Sequence, residues 1–127
     1  MSDPALALQT AIYAELNANL TVPIYDAVPQ NASFPYVTIE YQESVNGNFL
    51  TSRTEQKTIF LAVWSDYRGQ KEVLTIIAEI DNLLHEKNLT LSAGRIALMQ
   101  IAAKRTNRES DGVTFMGRVS LKITLQH

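Results

Sequence analysis

The segment Ile24–Tyr41 reads IYDAVPQNASFPYVTIEY. It holds two short extended pieces separated by a breaker cluster: Pro29, Gln30, Asn31, Ala32, Ser33 and Pro35. Each proline removes a backbone donor and biases the residue before it away from helix. The chain therefore enters a sheet, leaves it and returns within a few residues. Ile24–Ala27 reads as a short strand. Tyr36–Tyr41 reads as a longer one, with Val37, Ile39 and Tyr41 on one face and Tyr36, Thr38 and Glu40 on the other.

Upstream, the spacing predicts a helix. Asp3 suits an N-cap, and Pro4 follows at the first helical position, where its missing N–H costs nothing. Leu8, Ile12, Leu16 and Leu20 form one apolar stripe flanked by Ala5 and Ala11, and Asn17, Asn19 and Pro23 end it. Downstream, Glu43–Lys57 is polar and centred on Asn46-Gly47-Asn48. Asn-Gly is a strong hairpin signal, so this stretch is expected to be a long exposed hairpin loop. Thr58–Trp64, TIFLAVW, is apolar at nearly every position, as expected of a central strand covered on both faces.

Ser65 or Asp66 is the expected cap of a second helix, Tyr67 to about His85, closed by Lys87 and Asn88. Val73, Ile77, Ile80 and Leu84 form its buried stripe, widened by Ile76 and Leu83. A strand over Arg95–Ala103, a turn over Lys104–Gly112 (KRTNRESDG) and a last strand over Thr114–Leu125 complete the chain. On the last strand Phe115, Val119, Leu121, Ile123 and Leu125 share one face; Thr114, Arg118, Ser120, Lys122 and Thr124 share the other. The element order is α-β-β-β-α-β-β. It predicts an α+β fold, with two helices on one face of a largely antiparallel or mixed sheet.

The chain has 127 residues, which suits one domain spanning 1–127, and the 46% apolar content suits a globular core. A net charge of −2 argues against generic affinity for nucleic acid or acidic membranes. There is no cysteine, which excludes disulfides and thiolate metal sites. No stretch resembles a signal peptide or spans a bilayer, so the expected location is the cytoplasm until the protein joins an assembly.

Chemistry is sparse. His85 ends the second helix one turn after Asp81, an ordinary helix-end pairing. Glu109 and Asp111 resemble half a calcium loop, but the spacing fails beyond two ligands, and Asp111-Gly112 is a common turn pair. No nucleophile, phosphate-loop or metal-ligand pattern is present, so no enzyme, cofactor or metal is expected. Lys104, Arg105 and Arg108 make the one dense basic spot, suited either to a phosphate or to a solvated turn. Phe49 and Leu50 are apolar in a polar loop; they either tuck onto the core or anchor a partner. Trp64 and Tyr67 are expected in the core and at its edge.

Four stretches carry a resemblance, in order and spacing, over most of Ile24–Ile123. They are IYDAVPQNASFPYVTIE (Ile24–Glu40), LAVWSDYRGQKEV (Leu61–Val73), LLHEKNLTLSAGRI (Leu83–Ile96) and ESDGVTFMGRVSLKI (Glu109–Ile123). Together they resemble the tail terminator, or tail-completion, family of long-tailed bacteriophages and gene transfer agents. The step from Trp64 to Glu72 is its most specific part.

The resemblance implies a structural virion protein that caps the tail tube, terminates its polymerisation and forms the interface for head–tail joining. It implies a homo-oligomeric ring, typically a hexamer, around a channel that DNA crosses without specific binding. The implied partners are further copies of the chain, the tail tube protein and the head–tail connector protein. The implied location is the particle tail, assembled in the host bacterial cytoplasm.

On this reading Asn46, Phe49, Leu50 and Arg53 in the hairpin loop make partner contacts, as do Lys104, Arg105 and Arg108 in the later turn. Arg118, Ser120 and Lys122 line the channel. The rival readings are another head–tail adaptor or minor tail component, a non-viral α+β protein-binding module, and an enzyme with an unrecognised site.

Overall fold

The computed structural model describes residues 5–46, 54–67, 69–87, 89–91, 95–110 and 112–126. The elements are α1 (Ala5–Asn19), β1 (Ile24–Tyr25), β2 (Tyr36–Asn46), β3 (Thr54–Ser65), α2 (Lys71–Leu84), β4 (Arg95–Arg108) and β5 (Phe115–Gln126). This is the expected order, and the class is α+β. Asp3 and Pro4 lie outside the described residues.

The strands form one five-stranded sheet in the order β1-β2-β3-β5-β4. The breaker cluster makes a crossover, so β1 runs parallel to β2, pairing Ile24 with Val37 and Tyr25 with Thr38. Every other pairing is antiparallel. Tyr36 holds the two limbs of the crossover together. Its ring stacks on Phe34 at 5.4 Å between centroids and meets Tyr25 edge-on at 5.7 Å.

The apolar run Thr58–Trp64 lies in β3, the middle strand. Its neighbours in sequence extend the strand rather than forming a loop. Asn46 pairs with Glu55 and Ser44 with Lys57, so most of the predicted polar loop is ladder. Lys57 is alternation-matched with Ile59, Leu61 and Val63, and all four are fully buried. Its Nζ lies 3.4 Å from Glu55 Oε2. A buried cation needs such a partner, which is why these two charged residues can sit at the base of a core-facing strand.

The alternation predicted for Tyr36–Tyr41 holds only to Ile39. Ile39 opposes Leu61, but Tyr41 opposes Phe60, so two β2 residues face one step of β3. This bulge at Glu40 shifts the phase of the strand beyond it.

Both helices lie on one face. α2 covers β3, β5 and β4, and α1 lies against α2 and β1. Of the predicted stripes, Leu8, Ile12 and Leu16 on α1 and Val73, Ile76, Ile77, Ile80 and Leu84 on α2 are buried, whereas Leu83 and Leu20, which lies past the end of α1, are partly buried against the core. They meet Val119, Leu121, Ile123 and Leu125 of β5. At Gly117 the approach is so close that a Cβ would stand 2.5 Å from Val73 Cγ1 and 2.7 Å from Ile77 Cδ1.

The start of α2 corrects the sequence reading. The helix begins at Lys71 with Gln70 as N-cap, and Gln70 makes no side-chain cap bond. Ser65 acts earlier in the chain. Its Oγ accepts the Tyr67 N–H at 3.0 Å and donates to Glu72 Oε1 at 2.6 Å. It thereby ties the strand end to the first turn of the helix, while Gly69, at φ 77°, turns the backbone between them.

The end of β4 is a second correction. The predicted turn Lys104–Gly112 is strand as far as Arg108, paired through Phe115. The turn itself is tight: Glu109 N–H donates to the Thr114 carbonyl at 2.8 Å, and Gly112 N–H to the Glu109 carbonyl at 3.0 Å.

Candidate interaction surface

The helices leave the other sheet face open. Strand alternation places Thr58, Phe60, Ala62 and Trp64 of β3 there, with Arg118, Ser120, Lys122 and Thr124 of β5 beside them. The predicted channel set Arg118, Ser120 and Lys122 therefore does share one face. Arg118 opposes Ala62, and Ser120 opposes Phe60. On the far side, Arg105 opposes Arg118 and Ala103 opposes Ser120.

Phe60, Ala103, Lys104, Arg105, Arg118 and Ser120 line a depression of about 390 Å³ on this surface. Arg118 does not face it as a bare cation. Its Nε donates to Glu40 Oε1 at 2.8 Å, and a second guanidinium nitrogen donates to Oε2 at 3.2 Å. The pair spans β3, where Ala62, opposite Arg118, is fully buried although it lies on the open face. Trp64, expected in the core, also belongs on this face. Its ring is half-buried, and Nε1–H donates to Thr38 Oγ1 at 3.2 Å. Tyr67 is half exposed and, with Val22, Pro35, Lys71, Ile76 and Glu79, lines a groove of about 250 Å³ on the helix side.

Because Lys104, Arg105 and Arg108 lie on a strand, alternation splits them. Lys104 opposes buried Val119 and reaches the helix side, where its ammonium pairs with Asp81 of α2. Arg108 sets its guanidinium 5.2 Å from the centroid of the Phe115 ring. Only Arg105 is turned to the open face. Asn46 is the last described residue of β2 rather than a loop tip, and Phe49, Leu50 and Arg53 lie outside the described residues.

The helix-end reading of Asp81 and His85 changes in the same way. Lys104 takes the Asp81 carboxylate, while His85 Nδ1 accepts the Ile101 N–H at 3.1 Å. Among the described residues, no group of three or more His, Cys, Asp or Glu side chains converges as a metal site, and no helix is long and apolar enough to cross a membrane. Sequence reasoning missed Glu40 as the partner of Arg118. Its signal was a lone acid in an apolar strand, whose pairing depends on the bulge.

One solved structure with this fold is a chain of the "Virion of native gene transfer agent (GTA) particle". It aligns with a TM-score of 0.90 over 100% of both chains at 20% identity. At that identity the likeness concerns the fold. A search of curated proteins finds no match. The sequence profile of the family described as "Tail completion protein gp17" matches residues 5–126, nearly the whole chain. The chain therefore belongs to the tail completion protein gp17 family, a family of structural virion proteins.

Proposed function

We propose that the protein caps the tail tube of a phage or gene transfer agent particle, ends its polymerisation and offers the surface to which the head joins. It works as a ring, a hexamer on the family's pattern, and as a structural part rather than an enzyme. The observation that carries this reading is the family match over residues 5–126. The likeness of fold to a chain of a gene transfer agent virion supports a place in the particle tail.

The open sheet face is the proposed channel wall, with Arg118, Ser120 and Lys122 turned to the lumen. Its electrostatics suit passage rather than capture. Arg105, Arg118 and Lys122 are met on the same face by Glu40 and Glu43, and Glu40 already holds Arg118. Tight duplex binding at physiological salt rests on many phosphate contacts, so a wall this nearly balanced lets DNA slide. The hairpin tip Gly47–Arg53 and the cations of β4 are the proposed contacts to neighbouring copies, to the tail tube protein and to the head–tail connector protein.

Native mass spectrometry and negative-stain microscopy of the protein, alone and with the tail tube protein, test the proposal. The expected result is a closed ring seated at tube ends, with tubes of limited length. Tubes that lengthen freely in excess protein, with none of it at their ends, overturn it.

A further inference from the structure

Residues 5–46, which make α1, β1, the crossover and β2, carry four acids, Glu15, Asp26, Glu40 and Glu43, and no lysine or arginine. Strand β4 carries the reverse: Arg95, Lys104, Arg105 and Arg108, and no acid. In the sheet order β1-β2-β3-β5-β4 these segments stand at opposite ends. The chain, of net charge −2, is thus polarised across its sheet, acidic at one edge and basic at the other.

Both edges are open among the described residues. β1 pairs only with Val37 and Thr38, so β2 is itself the edge from Ile39 onward, and Glu43 stands on it. Glu43 and Asp26 are exposed, and neither side chain has a partner among the described residues. At the other end Arg105 is exposed, likewise without a side-chain partner among the described residues, and directly opposite another arginine. Arg108 is exposed over Phe115.

The middle of β4 is already taken. Glu86 N–H donates to the Met99 carbonyl at 2.8 Å, and the Ile101 N–H goes to His85. An incoming strand therefore cannot zip along the whole edge, and the free part of the edge is the one that carries Arg105 and Arg108.

Resting on the proposed ring, we infer that successive copies of the chain meet head to tail, the β4 edge of one against the β1–β2 edge of the next. Asp26 and Glu43 on one copy face Arg105 and Arg108 on its neighbour. An interface between two different patches of the same molecule can close into a ring. Opposite charge on those patches favours this orientation and penalises edge-on contacts of like sign. Duplex DNA is a poor occupant of the basic edge: it holds only four cations, and Asp81 already takes one.

Charge reversal in two variants tests the inference. R105E/R108E makes both edges acidic, and D26K/E43K makes both basic. All four positions are exposed, and circular dichroism and thermal melts check that each variant is folded. Association is followed by sedimentation velocity and native mass at low salt.

The wild type is expected to associate, and less so as salt rises. Each variant alone is expected to stay monomeric. The equimolar mixture is expected to recover rings with the two variants alternating in equal number. If both variants assemble like the wild type, the edge assignment is wrong while the ring stands. If neither the variants nor their mixture assembles, the edges do not face each other, and another protein is their partner. A wild-type chain that stays monomeric at every concentration and salt removes the ring and the inference together.

Discussion

Glu40 and Arg118 meet across the full width of β3, in a two-pronged contact of 2.8 and 3.2 Å that joins β2 to β5. The side chains are 23% and 32% exposed, between the screened and the buried regimes. Exposed pairs contribute little, whereas bidentate arginine–carboxylate pairs hold their geometry better. A double-mutant cycle with E40Q and R118A, read by urea denaturation, is expected to give a coupling of about 1 kcal/mol. A coupling indistinguishable from zero would show that the bridge orders the open face without stabilising it.

Lys57 behaves differently because it is fully buried and faces the core. K57A leaves Glu55, whose side chain is only 11% exposed, without this cation. The expected loss is about 3 kcal/mol, since removing one partner of a buried ion pair is strongly destabilising. K57M keeps most of the volume and the apolar stem. Paired with E55Q, it is expected to cost much less than K57A alone. Chemical denaturation of the three proteins checks the order, and a K57A protein as stable as wild type would overturn the account.

Gly117 sets the distance between α2 and the sheet. Any side chain there meets Val73 and Ile77, both stiff, β-branched and buried. G117A is therefore expected to destabilise by about 1–3 kcal/mol through overpacking. Shortening the obstructing side chain should recover part of that loss, so G117A/V73A is expected to be more stable than the sum of its single variants. Thermal unfolding of the set measures this, and strict additivity would mean that the helix simply shifts outward.

These pairs show what the linear pattern carries and what it does not. The helical stripes, the central strand and the alternation of β5 were legible because burial repeats with a fixed period. The limits of the hairpins were not. Charged residues such as Glu55, Lys57, Lys104 and Arg105 read as loop, yet each sits in a ladder: Glu55 and Lys57 pair along β3, Lys104 reaches Asp81 of α2, and Arg105 is exposed on the open face. The bulge at Glu40 costs one residue of register and has no local signature, so the Glu40–Arg118 contact could not be read from spacing. The basic spot at Lys104–Arg108 was visible as composition. Its division into a helix-bound lysine, a ring-stacked arginine and an open-face arginine follows only from strand alternation.

The β2–β3 hairpin separates folding from assembly. Asn46 pairs with Glu55, and residues 47–53 lie in sequence between the end of β2 at Asn46 and the start of β3 at Thr54. Removing Gly47–Thr51 leaves Ser52, Arg53 and Thr54, and a three-residue connection is a common hairpin loop. The ladder from Asn46–Glu55 inward can therefore persist, and the melting temperature is expected to change little. If the tip carries the partner contacts, through Phe49 and Leu50, the deletion removes them. Light scattering should then report lost rings, or co-sedimentation should report lost binding to the tail tube protein, in a folded monomer. A deleted protein that assembles and binds tubes like the wild type would move those contacts elsewhere, and the charged edges of the sheet would be the next place to look.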